Sequence, residues 1–317
     1  MNNPTATIFQ SDAWLRFQQA LPGREAGTIS SGSESLYWAI IPTLLGKRYL
    51  YINHGLGTQS LTHYWPQLVA LAKAKKCIYI KLEPLWPEND PREAELVTLR
   101  CKPSTFAIQP QTTLLLDLTL STEDLLKQMK PKGRYNIKIA AKNNITYHSF
   151  DADHPELTTA LSAFYKLLHT TATRDHFGIH TVEYYHQFLA KLSPQSKLYL
   201  AYHQDQVIAG MIVTLYQTES IYYYGASSSE HRELMATYGL QWQVIQEMKA
   251  AGATTYDFLG IAPSDASSQH PLAGVTEFKK KFGGTVQTWT GTYHYILSPL
   301  FYSLIHAPKI ILHKIKH

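Results

Sequence analysis

Residues 197–216 read KLYLAYHQDQVIAGMIVTLY, and their interpretation settles the architecture of the second half of the chain. Lys197–Tyr202 and Val207–Tyr216 are rich in β-branched, aromatic and aliphatic residues and flank the polar pair Gln204-Asp205. Two such runs about a short polar turn predict antiparallel strands. Ser220–Tyr224 predicts a third strand leading into Gly225-Ala226-Ser227. A helix is expected from about Glu233 to Ala251, stopped by Gly252 at a position that favours a left-handed residue. It delivers a further strand, Thr255–Leu259.

The same order occurs once before. Leu36–Pro42 and Arg48–Asn53 flank Leu45-Gly46-Lys47, a helix follows from about Leu61 to Lys76, and Ile78–Leu82 reads as a strand. No residue-level repeat links the stretches, yet the shared order predicts two copies of one α/β unit with mixed sheets. Acyltransferases of the acetyltransferase (GNAT) superfamily use this layout.

Between and around these units, Asp12 is expected to cap a helix that ends at Pro22-Gly23. The five prolines from Pro84 to Pro110, both included, predict a loop with one short helix near Arg92–Leu99. Leu114–Leu118 reads as a strand, and Ser121 with Asp124 forms a capping box before the next helix. The second unit is expected to begin near Ile145, with helices over Glu156–Arg174 and Val182–Leu192. The expected division is therefore 1–146, joined by the C-terminal segment 296–317, and 147–295.

With 317 residues the chain exceeds a single core, which agrees with two units. Twenty-nine Lys and Arg against 24 Asp and Glu give a formal charge of +5, which permits a polyanionic partner without demanding one. Cys77 and Cys101 are too few for a disulfide framework, the N-terminus lacks a secretory pattern, and Leu300–Leu312 is broken by His306 and Pro308. A cytoplasmic protein, soluble or peripheral at a membrane, is expected.

Several chemistries find no pattern here. There is no GxxxxGK[ST], Gly55-Leu56-Gly57 lacks the third glycine of a dinucleotide loop, and Gly225-Ala226-Ser227 is not GxSxG. His176 and His180 are spaced i, i+4 with Gly178 between them and no acidic or cysteine ligand cluster beside them, so no metal site is expected. What remains is cationic, aromatic and punctuated by glycine. Lys132, Arg134, Lys138 and Lys142 form a basic stretch with no acidic residue between Asp124 and Asp151. If it is helical, Arg134, Lys138 and Lys142 share a row, facing either nucleic-acid phosphates or solvent. Phe278-Lys279-Lys280-Lys281-Phe282-Gly283-Gly284 sets three cations between aromatics and before a glycine pair. It reads as an anion-meeting site or as a solvated basic turn.

These runs together resemble the Fem-type (FemABX) peptidoglycan bridge aminoacyltransferases. The resemblance spans nearly the whole chain and is carried by Phe9-Gln10-Ser11 with Trp14, Lys81-Leu82-Glu83-Pro84, and Arg134-Tyr135-Asn136-Ile137 with Ala141 and Lys142. It continues in Arg174-Asp175-His176-Phe177, Tyr224-Gly225-Ala226-Ser227 and Tyr256-Asp257-Phe258-Leu259-Gly260. Residues 278–284 resemble the signature Phe-Lys-x-x-Phe-Gly-Gly. Lys281 stands where the family often has glycine, His176 replaces the glycine before Phe177, the loop from Ala262 to Ala273 is long, and no coiled-coil arm interrupts the second unit.

The resemblance implies tandem GNAT-like domains, a monomer, and transfer of an amino acid from aminoacyl-tRNA, a co-substrate rather than a cofactor. The acceptor would be the stem-peptide amine of a UDP-MurNAc-pentapeptide or lipid-linked precursor. It implies Lys279 as the catalytic ammonium that meets the oxyanion, with Phe278, Phe282 and Gly283 shaping its segment. Arg174 is implied as the pyrophosphate partner, against the alternative of an ion pair with Asp175. Tyr224 and Asp257 would line the cleft, and Lys132, Arg134, Lys138 and Lys142 would meet tRNA phosphates. The tail, with Lys309, Lys314 and Lys316, either lies on an anionic membrane or docks onto the first unit. The alternatives are an acyl-CoA-dependent N-acyltransferase of the same fold, and a non-enzymatic cationic RNA-binding protein.

Overall fold

The computed structural model describes residues 7–32, 34–56 and 60–306. They fall into two compact units, residues 1–111 with 288–317, and residues 112–287.

The first unit is built on strands β1 (Glu25–Ser31), β2 (Glu34–Pro42), β3 (Arg48–Asn53), β4 (Tyr79–Glu83) and β5 (Lys102–Ser104), with β13 (Thr292–Ile296), the last strand of the chain. Its sheet runs β1-β2-β3-β4-β13-β5. Helices α1 (Asp12–Ala20), α2 (Trp65–Ala74) and α3 (Glu93–Thr98) complete it. Ser11, not Asp12, caps α1, its Oγ accepting from the Trp14 amide at 3.2 Å. β3 and β4 are parallel, so a crossover is required, and α2 supplies it. Ile40, Leu50, Ile52, Leu68, Ile80 and Leu82 bury the sheet face. β1 has no expectation in the sequence, because EAGTISS offers only Ile29 as a buried apolar residue. It forms because β2 templates it along its whole length. β5 breaks the expectation of loop between the prolines for a similar reason, pairing at the edge with β13.

The second unit contains β6 (Thr112–Asp117), α4 (Thr122–Gln128), α5 (Pro131–Lys142), β7 (Thr146–Phe150), α6 (Leu157–Asp175) and α7 (Val182–Lys191). The hairpin strands β8 (Ser196–His203), β9 (Gln206–Tyr216) and β10 (Glu219–Ser227) follow, then α8 (Ala236–Ala250), β11 (Thr255–Gly260), α9 (Ala273–Lys279) and β12 (Thr285–Thr288). The sheet order is β12-β6-β11-β10-β9-β8-β7. The expected division near residue 146 is corrected to Gln111/Thr112, because β6 pairs antiparallel with β11 and carries α4 and α5 with it. Leu114, Leu116, Tyr256, Phe258 and Phe282 belong to this unit's main core. Among the described residues the longest helix is α6, at 19 residues, well short of a coiled-coil arm.

Residues 299–306 are helical and dock on the first unit, where Ile305 is buried and Phe301 and Tyr302 pack on Ile78 and Tyr79. Lys309, Lys314 and Lys316 lie outside the described residues. No described helix is long and apolar enough to cross a membrane.

Candidate active site

The site forms where the second sheet comes apart. β10 and β11 are parallel and pair only over Glu219–Ile221 with Thr255–Asp257, although β10 continues to Ser227 and β11 to Gly260. Each strand is irregular at that point. The β10–β9 register slips between Tyr222 and Tyr224, and the β11–β6 register slips between Asp257 and Gly260. Leu259 takes φ 55°, a left-handed value that strains a bulky side chain. This bend turns the Leu259 amide back onto the Asp257 carboxylate, Oδ1 accepting at 2.7 Å. The Thr113 hydroxyl on β6 donates to the same oxygen. Both bonds end on Oδ1, so Oδ2 keeps its lone pairs.

Lys279 closes the site from α9. The helix ends there, a 3-10 turn carries Lys280–Phe282, and Gly283 and Gly284 follow at φ 87° and 90°. Neither glycine accepts a side chain, since a Cβ on Gly284 would lie 2.6 Å from the Leu115 carbonyl oxygen and one on Gly283 2.7 Å from Gln128. The turn is fastened to α5 as well. Lys130 donates its amide to the Lys281 carbonyl at 3.1 Å, and Gly133 allows that carbonyl to approach where a Cβ would be 2.4 Å away.

This fixing divides the three lysines. Lys279 is 6% exposed and donates from Nζ to the Gly260 carbonyl at 2.7 Å. That is its single hydrogen bond among the described residues, which leave two ammonium protons without an acceptor. Its Nζ stands 5.7 Å from the centre of the Tyr222 ring. Lys281 instead donates to the Tyr238 hydroxyl at 3.0 Å. Phe282 is fully buried against Tyr238 and Phe258, and Phe278 packs edge-on to both Phe282 and Tyr238.

Burial sets the electrostatics. It pushes the Asp257 carboxyl up to about 6, opposed by the Thr113 and Leu259 hydrogen bonds and by the Lys279 charge. It pushes the Lys279 ammonium down to about 8, opposed by Asp257. The arrangement is a desolvated ammonium with unused donors, kept charged near neutrality by a carboxylate.

The other sequence-nominated residues lie elsewhere in the unit or are occupied. The slip at Tyr223 turns Tyr224 towards α7, where its ring meets Tyr185 at 4.9 Å and its hydroxyl donates to Tyr184 at 3.3 Å. Tyr222, not Tyr224, is the ring beside Lys279. Gly225 lies under the Tyr222 hydroxyl, where a Cβ would be 1.8 Å away. The Arg174 guanidinium grips the Asp175 carboxylate in two-point fashion, at 2.8 and 2.7 Å, and also donates to the Ser227 carbonyl at 3.2 Å. His176 takes φ 57° at the end of α6, which explains why glycine suits that position. On α5, Arg134 is spent on the carbonyls that end α4, those of Leu126, Lys127 and Met129. Lys132, Lys138 and Lys142 remain exposed beside Tyr135, which is 63% exposed. No cluster of three or more metal-ligating side chains occurs among the described residues.

Sequence reasoning missed Thr113, took Gly260 only as the end of a resembling run, and named Tyr224 rather than Tyr222 as the tyrosine of the cleft. Thr113 is 144 positions from Asp257 and signals nothing locally.

The sequence matches the FemAB family over residues 93–206 and 197–309. The Lipid II:glycine glycyltransferase of Staphylococcus aureus (strain MRSA252) is 22% identical, over 99% of this chain and 94% of that protein. Among solved structures, FemX superposes with a TM-score of 0.82 at 20% identity, covering 95% of each chain. A tandem GNAT protein from the clavulanic acid biosynthesis pathway superposes with a TM-score of 0.54 at 13% identity, over 88% of this chain and 85% of its own. These likenesses show the fold, two GNAT-like units in tandem. The chain belongs to the FemAB family.

Proposed function

We propose that this FemAB-family enzyme is a peptidoglycan bridge aminoacyltransferase, moving an amino acid from aminoacyl-tRNA to the stem-peptide amine of a cell-wall precursor. The observation that carries the reading is Lys279: a buried ammonium with unused donors where the sheet parts. The acceptor amine attacks the ester carbonyl, a C–N bond forms, and the carbonyl oxygen takes negative charge. Lys279 stabilises that oxyanion, worth about 3–4 kcal/mol for a donor fixed in a water-poor site. The C–O bond to the tRNA ribose then breaks, its oxygen takes a proton, and the amine gives one up. Asp257 acts through Lys279, holding it charged.

Lys132, Lys138 and Lys142 give tRNA phosphates a sequence-independent footing on α5, with Tyr135 available for stacking. Arg134 contributes charge there while its guanidinium caps α4. Arg174 would grip the precursor's pyrophosphate by exchanging the Asp175 carboxylate, a partly exposed partner given up at small cost. The acceptor named for the staphylococcal relative is lipid II. A lipid-linked precursor is the acceptor we favour, with the enzyme working as a monomer at the inner membrane face.

The test is transfer by the purified protein. With charged tRNA mixtures as donor and lipid-linked or UDP-linked pentapeptide as acceptor, radiolabelled amino acid should enter the precursor. Transfer from acyl-CoA with none from aminoacyl-tRNA would replace this reading with the N-acyltransferase. RNA binding with neither transfer would replace it with the non-enzymatic one.

A further inference from the structure

We propose that one end of the first unit is a membrane-docking face, which inserts leucines among the headgroups of an anionic bilayer. Leu44 and Leu45 form the tip of the β2–β3 hairpin and are 63% and 67% exposed. Leu45 takes φ 58° and ψ 29°, so a bulky apolar residue is held outward in a conformation that would suit glycine or asparagine. The Thr43 amide, donating to the Lys47 carbonyl at 2.7 Å, pins the tip. Packing within the protein explains none of this.

A second pair of leucines lies on the helical segment that Lys47 reaches. Residues 299–306 bury Ile305 and turn Leu300 and Leu304 outward, 68% and 52% exposed at i, i+4 spacing. Lys47 links the two elements, its Nζ 3.8 Å from the centre of the Phe301 ring. Two elements that touch through Lys47 and Phe301 therefore carry four strongly exposed leucines between them.

The charge around them selects the occupant. The Ile78 amide donates to the Arg48 carbonyl at 2.9 Å, which brings the end of α2 to the base of this hairpin with Lys73 and Lys76 exposed. The carboxylate there, Glu25, is already bridged by Arg48 and Lys75 at 2.6 Å each. Lys47, Lys73 and Lys76 have no acidic partner among the described residues. Leucines rimmed by unneutralised lysines fit a surface that is apolar within and anionic at its face. A second copy of the chain would bring the same cations against one another. The proposal rests on this face alone and does not depend on the transfer reaction.

The full chain should co-sediment with phosphatidylcholine vesicles containing phosphatidylglycerol, less with phosphatidylcholine alone, and progressively less as salt rises. Leu44→Ser with Leu45→Asn should lower partitioning about tenfold, as should Leu300→Ser with Leu304→Ser. Asparagine tolerates the left-handed position, so the hairpin variant should melt no lower than the parent, which separates lost docking from lost folding. Lys47→Gln with Lys76→Gln should lower binding several-fold on anionic vesicles and leave neutral ones unchanged. Partitioning unchanged in both leucine variants, or absent for the parent, overturns the proposal. So does a concentration-dependent dimer that the leucine variants abolish while vesicles bind nothing, which gives the face to a second copy.

Discussion

Both units contain a parallel strand pair joined by one helix, and each carries a buried lysine and carboxylate there, yet the two pairs are put to opposite uses. In the first unit β3 and β4 stay paired through Asn53 and Glu83, and the His54 amide extends the ladder onto the Glu83 carbonyl at 2.8 Å. Glu83 is saturated by the Tyr51 and Thr292 hydroxyls and the Ile108 and Gln109 amides, while Lys81 is spent on the Phe106 carbonyl. In the second unit β10 and β11 part after Asp257, and both Asp257 and Lys279 keep unused capacity. A buried carboxylate that four donors reach is a clamp on a loop. A buried ammonium with open donors is a place for a reacting atom.

The clamp predicts the largest effect. Glu83→Ala strips the Ile108 and Gln109 amides and two hydroxyls of their acceptor and leaves the Lys81 ammonium without the carboxylate 4.0 Å away, and should cost about 3–5 kcal/mol, read by chemical denaturation. Glu83→Gln, which keeps an acceptor, should cost less. In either variant turnover per folded molecule should hold; a drop would move chemistry into the first unit and erase the contrast.

Lys279→Met inverts that pattern. Turnover should fall about 100- to 1,000-fold, and the melting temperature should not fall, because a desolvated charge is being removed. The sign follows from linkage. Burial lowers the folded-state pKa of Lys279 to about 8, so folding gains stability from its neutral form only above the unfolded value and loses that gain as pH falls through 8. Asp257 runs the other way: its carboxyl is raised to about 6, so its contribution is present below the ordinary carboxylate range and is lost as pH rises through 6. Near neutral pH both groups therefore weigh against folding, and the parent's turnover should decline with a midpoint near 8. Full activity in Lys279→Met would end its assignment as the catalytic group.

This difference between the units also marks how far sequence reading reached. The order of strands and helices was legible because alternation and turn residues mark it locally, while Phe278–Gly284 read as an anion-meeting site or a solvated turn and Asp257 was nominated through the family resemblance. The strand parting was not, because nothing in Ile221 or Asp257 states where hydrogen bonding stops. Alternation would set Tyr222 and Tyr224 on one face, and the slip at Tyr223 sends them to different ones. The division between units was misplaced because β6 joins β11 across more than a hundred residues, a pairing without local pattern. Arg134 reads as one of a row facing phosphates or solvent and is spent instead on backbone carbonyls, whereas Arg174 reads as the partner of either a pyrophosphate or Asp175, and the fold holds it on Asp175.

The smallest predicted effect bears on what keeps the second pair open. Gly225 lies beneath the Tyr222 hydroxyl, and a methyl group there must displace that ring, since the two would be 1.8 Å apart. The obstruction is the far end of a side chain rather than backbone, so Gly225→Ala should cost about 1 kcal/mol or less of stability. Moving the ring removes the aromatic face from Lys279 and should lower turnover several-fold, while Tyr222→Phe, which keeps the ring and drops the hydroxyl, should not. If Tyr222→Phe is instead as poor as Gly225→Ala, the hydroxyl itself meets the substrate, and Tyr222 moves from positioning Lys279 to touching the reacting atoms.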